Sequence, residues 1–188
     1  MTRLAPVPFE EWDTDAISVI MGGRPLVPSN VLGLFANHPA LAKAFLTWNG
    51  YLLSRATTIT PYIRELAILR IAWRRRCRYE WAQHVLIARK AGVTDEEIAR
   101  VRAGDTGAAG DVAGLVITAV DELDARSDLS NETYKALTGM FDARQVMDLV
   151  FTIGTYGVLA MAFNTFGLEL EPGLSDEGFD ITAATDQH

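Results

Sequence analysis

The run LVFTIGTYGVLAMAFNTFGL, residues 149–168, holds no charged side chain over 20 residues. A stretch of that length and character has two physical destinations, a bilayer or the interior of a helical assembly. Three glycines, three threonines and Asn164 lie within it, and its near flanks, Asp148, Glu169 and Glu171, are acidic where an anchored span usually carries basic residues. The expectation is a helix buried all round, inside the subunit or against another one, with no membrane as partner.

No segment alternates at the period of a strand, and helical periodicity runs through nearly the whole chain. The expected fold class is all-α in one domain. An N-terminal arm at 1–30 carries one short helix near 14–21, a helical domain occupies 31–171, and an acidic tail at 172–188 is expected to be loose. Local punctuation places the helices. NHPALAKAFLTWNGYLLSRA has Pro39 in its first turn, and Thr60 with Pro61 opens the next helix. Gly92 stops a helix over 78–91. Thr94 and Glu97 form a capping box for one that ends at Gly104, and GDTGAAGD is a loop. Helices follow at 111–125 and 130–139, and Asp142 with Gln145 opens the long apolar one.

A formal net charge of −7 argues against nucleic acid and anionic membrane surfaces as partners. The single cysteine leaves no intrachain disulfide, which suits a reducing compartment. The opening MTRLAPVPFEEWD lacks the apolar core of a secretion signal, so a cytoplasmic protein is expected.

The chemistry concentrates in RRRCRYEWAQH, residues 74–84. Cys77, Glu80 and His84 fall at i, i+3 and i+7, on one helix face. Cys77 sits at a helix start among Arg74, Arg75, Arg76 and Arg78, a setting that favours a thiolate and a thiol pKa below the ordinary value. Glu80 and His84, one turn apart, are placed to touch and to relay a proton near neutral pH, Glu80 favouring the imidazolium. Glu65 lies on the preceding helix, and a hairpin would bring it to the same face. Each feature also has a plainer role. The thiol can be inert packing, the Glu–His pair a solvated helix pair, and the arginines salt-bridge donors. His38 is most simply a helix-start residue beside Pro39, and His188 is the chain end. No metal site and no cofactor are expected, since no second cluster of ligands completes a set and no phosphate loop is present.

IRELAILRIAWRRRCRYEWAQHVLIARKAGVTDEEI resembles the core of the carboxymuconolactone decarboxylase superfamily, which includes alkylhydroperoxidase D. The family signature is a glutamate, eleven residues, Cys-x-x-Cys, three residues and a histidine. Glu65, Cys77 and His84 match it, and the looser resemblance spans residues 37–167. Glu80 stands where the second cysteine would be. Peroxidase members cycle through a disulfide between the two cysteines, and this chain has no resolving thiol. Glu-x-x-x-His is instead similar to the decarboxylase branch. The resemblance implies an alkylhydroperoxidase D-like helical bundle that assembles as a homotrimer or a multiple of trimers. The leading functional expectation is cofactor-free acid/base chemistry, a decarboxylation or isomerisation, on a small organic acid or lactone. His84 would be the general acid/base, Glu80 its orienting and shuttling partner, and Glu65 a second carboxylate. Arg74 or Arg78 would hold a substrate carboxylate. The alternatives are a single-cysteine peroxidase or thiol redox protein using Cys77, and a homologue without catalysis.

Overall fold

The computed structural model describes residues 1–20, 25–108, 110–176 and 178–179. Among these residues every regular element is helical: α1 (Thr14–Ile17), α2 (Asn30–Ala36), α3 (Pro39–Leu53), α4 (Pro61–Arg74), α5 (Arg78–Lys90), α6 (Asp95–Ala103), α7 (Val112–Arg126), α8 (Asn131–Met140) and α9 (Ala143–Phe166), with 3-10 turns at Phe9–Glu11 and Ser18–Ile20. The cap residues read from the sequence do the capping. Thr60 accepts from the Ile63 amide with Pro61 in the first turn, and both halves of the Thr94–Glu97 and Asp142–Gln145 boxes are present. Helix α2 has no counterpart in the sequence reading. It is short and follows directly on Pro28, and Ser29 caps it through the Leu32 amide.

Helix α4 is the axis of the subunit. Its residues from Ile63 to Ala72 are all buried, and α5, α6, α7 and α9 all pack on it. That burial includes charge, and Arg70 shows how charge is tolerated there. Its Nε and Nη2 grip both oxygens of Asp121 on α7 at 2.7 Å, and Nη1 donates to the Val101 carbonyl on α6 at 2.6 Å. A paired and fully hydrogen-bonded guanidinium escapes most of the penalty of an isolated buried charge.

The turn from α4 to α5 is three residues long. The Cys77 amide donates to the Ala72 carbonyl and the Arg76 amide to that of Trp73, the two bonds of a Schellman ending. Arg76 takes the left-handed position, at φ 53°, which usually goes to glycine. Cys77 also serves as the N-cap of α5, without a side-chain cap bond. One residue thus closes one helix and opens the next, which buries it completely.

One expectation needs correction. The tail after Pro172 is packed as far as Phe179. Glu171 accepts from Tyr79 and Gln83, Asp176 pairs with Arg78, and the buried ring of Phe179 lies edge-on to Trp73. Residues 180–188, including His188, and the end of the short helix expected at 14–21 lie outside the described residues. Helix α9, which carries the uncharged run, is long and apolar enough to cross a membrane, and 61% of its most apolar window is buried within the subunit. Within the single subunit Phe151, Val158 and Met161 each keep about half their surface open (51%, 53% and 51%).

Asp148 on α9 latches the loop between α3 and α4. It accepts from the Thr58 amide (2.6 Å), the Thr58 hydroxyl (2.7 Å), the Thr57 hydroxyl (3.2 Å) and the Tyr51 hydroxyl (2.8 Å). Burial alone would raise this carboxyl, but the donors outweigh it and hold it below its ordinary 3.8. The folded-state value lies below the unfolded one, so the contribution is full above pH 3.8 and is lost as pH falls through the folded value. Asp148→Asn is expected to cost about 2 kcal/mol near pH 6. The gap to wild type should close below pH 3.8, as read by urea unfolding across that range.

Candidate functional site

The hairpin of α4 and α5 brings Glu65 onto the face of α5 that carries Cys77, Glu80 and His84. Glu65 is fully buried, and its carboxylate is shared. One oxygen accepts from Arg64 Nε at 2.9 Å and the other meets His84 Nδ1 at 2.6 Å. Burial pushes the Glu65 carboxyl upward, but His84 and Arg64 outweigh it and hold it below its ordinary value. An ionised carboxylate only accepts, so the shared hydrogen belongs on Nδ1. That leaves His84 Nε2, which bonds to no described residue, as the working edge of the ring. The ring of Tyr156 on α9 stands edge-on to the imidazole at 5.0 Å and fixes its plane.

The sequence reading paired His84 with Glu80, its neighbour one turn away. The structure gives that place to Glu65, from the adjoining helix. Glu80 instead points into the core. It is 2% exposed, and neither carboxyl oxygen has a partner of ordinary hydrogen-bond geometry, although the Cys77 thiol faces it. Burial therefore pushes its carboxyl well above the usual range and favours the neutral acid. A neutral Glu80 is no counter-ion for an imidazolium.

The thiol expectation is also overturned. Cys77 is fully buried, and burial together with the adjoining Glu80 pushes the thiol far above its ordinary range. The arginines that were to activate it are spent elsewhere. Arg74 and Arg75 pair with Asp124, and Arg78 with Asp176. Those pairs also hold Arg74 and Arg78, the expected substrate ligands, on acids outside the Glu65–His84 cluster. Two residues of the cluster are absent from the expected set. Arg64 is signalled only by being a cation among the apolar residues of α4. Tyr156 is the tyrosine of the uncharged run, in which no residue was expected to belong to the site. Among the described residues no group of three or more His, Cys, Asp and Glu side chains is placed to hold a metal ion.

Comparison with known proteins follows the same lines. The sequence model of the carboxymuconolactone decarboxylase family matches residues 39–120, which contain Arg64, Glu65, Cys77, Glu80 and His84. Among curated proteins no sequence matches the chain. Two solved structures are similar in fold. The alkylhydroperoxidase AhpD core of an uncharacterized peroxidase-related protein from Ralstonia eutropha JMP134 superposes with a TM-score of 0.75 at 18% identity, over 91% of this chain and 93% of that one. The debrominase Bmp8, a substituted form in complex with 2,3,4-tribromopyrrole, superposes with a TM-score of 0.68 at 16% identity, over 92% of this chain and 93% of its own. The chain is thus similar to the carboxymuconolactone decarboxylase family over the segment that carries the site, shares its fold with both structures over nearly the whole length, and has Glu80 in the place of the second motif cysteine.

Proposed function

We propose that this protein is an enzyme that performs acid/base chemistry, a decarboxylation or an isomerisation, on a small organic acid or lactone without a bound cofactor. The observation that carries the reading is the buried 2.6 Å contact between Glu65 and His84 Nδ1, which presents Nε2 as the group that moves protons. In a decarboxylation the carbon–carboxylate bond breaks, CO₂ leaves, and the electron pair stays on the remaining carbon. That carbon then takes a proton from His84 Nε2, which solvent replaces. In an isomerisation His84 Nε2 removes a proton at one carbon and returns it at another.

The thiol alternative has the weaker support. A one-cysteine peroxidase needs an accessible thiolate, and Cys77 is fully buried with its thiol pushed upward. The two readings part on a simple panel, assayed on small acids and lactones and on hydrogen peroxide. Cys77→Ser is expected to keep the acid or lactone turnover and His84→Ala to lose it, with no peroxide consumption by wild type. Iodoacetamide should alkylate Cys77 in the native protein far more slowly than in urea. Peroxide turnover that disappears with Cys77→Ser would replace the proposal with thiol chemistry.

The proposal extends to assembly and location: a homotrimer, or a multiple of trimers, in the cytoplasm, acting on a small molecule with no nucleic acid or membrane partner. What supports the assembly is the open side of α9. Phe151 and Val158, with Phe45, Trp48 and Val150, line an apolar groove of about 610 Å³. A face of this kind is usually covered by another protein surface.

A further inference from the structure

Two arginines of α4 are equally withdrawn from solvent, and only one of them is fully used. Arg70, 6% exposed, has its fork filled by Asp121 and its remaining terminal nitrogen bonded to a backbone carbonyl. Arg64, 8% exposed, donates from Nε to Glu65, and neither of its terminal nitrogens bonds to a described residue. The terminal nitrogens of Arg64 are not among the fully buried unpartnered atoms, so this guanidinium presents free donors at the edge of the cluster. The side chains of Arg64 and His84 keep 10% and 11% of their surface open, while that of Glu65 keeps none. Both working groups are therefore reachable from outside, and the carboxylate that joins them is not.

The charges of the cluster agree. Glu65 offsets Arg64, and Glu80, neutral by burial, adds no negative charge to repel an anion. Glu65 joins the two groups directly, one oxygen on Arg64 Nε and the other on His84 Nδ1, so the guanidinium and the imidazole flank one carboxylate. We propose that the two terminal nitrogens of Arg64, left open while Glu65 holds Nε, anchor the carboxylate of the substrate end-on. The protein then selects a small carboxylate anion over the corresponding amide or ester, and the anchor sets the reacting carbon beside His84 Nε2. This inference rests on the acid/base reading of the site and deepens it by naming the substrate's charged group and the residue that holds it.

The test uses the full chain with benzoate and benzamide as probes of equal shape and different charge, followed by ¹⁵N NMR of the arginine side chains. Benzoate is expected to bind about tenfold more tightly than benzamide and to shift the terminal nitrogens of Arg64, as a charge-assisted fork requires. Arg64→Lys should weaken benzoate about tenfold, since an ammonium keeps the charge and loses the fork. Arg64→Met should abolish the preference, with circular dichroism confirming the fold. Equal binding of the two probes, binding of neither, or benzoate affinity unchanged in Arg64→Met would overturn the proposal. The wild-type shift needs no variant, so it decides the matter even if a substitution fails to fold. If the Arg64-dependent preference holds while no acid is turned over, the anchor stands and the acid/base reading falls. Turnover that needs His84 and ignores Arg64 has the opposite meaning.

Discussion

Glu65→Gln is expected to lower turnover by about 10²- to 10⁴-fold, the range for loss of a positioned acid/base group. The carboxylate does two things at once. It accepts from His84 Nδ1 and so keeps Nε2 as the free edge, and it accepts from Arg64 Nε. Glutamine has one accepting oxygen for those two donors. With its amide nitrogen toward His84 it would donate to Nδ1, which drives the ring hydrogen to Nε2, the wrong tautomer for a base at that edge. With its oxygen toward His84 it leaves Arg64 without an ionised partner in a buried site, at a cost of about 3 kcal/mol. Long-range ¹H–¹⁵N spectra of the imidazole read the tautomer directly and need no substrate. An Nδ1–H tautomer in both wild type and Glu65→Gln, with turnover intact, would remove Glu65 from the mechanism.

Replacing Phe151 and Val158 together by glutamate is expected to leave a folded monomer of 20.6 kDa in place of the proposed assembly. Both side chains are about half exposed in the isolated subunit, at 51% and 53%, so the changes spare the core. Covering them in an interface would contribute part of the ~1.5–3 kcal/mol available from burying each such side chain. A glutamate there must instead be stripped of water with no cation to meet it. Light scattering after size-exclusion chromatography reads the mass. A wild-type mass of 20.6 kDa would dispose of the proposed assembly outright.

What could be read from the chain depended on how local its cause was. Thr60 with Pro61, Thr94 with Glu97 and Asp142 with Gln145 start helices as expected, because a cap needs only the next three residues. The site was legible as a set: Glu65, Cys77, Glu80 and His84 do converge on one hairpin. Its pairings were not. Helical spacing allows Glu80 to touch His84, but packing of α4 against α5 decides which carboxylate reaches the ring, and it chose Glu65. The thiol misread has the same origin. A helix start and four arginines argue for a thiolate only while the arginines are free and the sulfur is wet, whereas Asp124 and Asp176 hold three of them and the Schellman turn buries Cys77. Arg64 was passed over because nothing local separates it from Arg70, and the difference lies in Asp121, a residue of α7.

The turn at Arg76 and Cys77 also bears on the order in which the molecule is made. Glu65 and His84 are 19 positions apart and belong to one hairpin with a three-residue turn, so their contact closes a short loop. Tyr156 arrives on the last helix, far down the chain, as does the rest of the wall that α9 gives to α4. During synthesis from the N-terminus the Glu65–His84 pair is therefore available before the helices that shelter it. For that interval the nascent chain holds Glu65 and Arg64 nearer water, where their ionisation is cheap, and the packing of the later helices on α4 commits those charges to the interior.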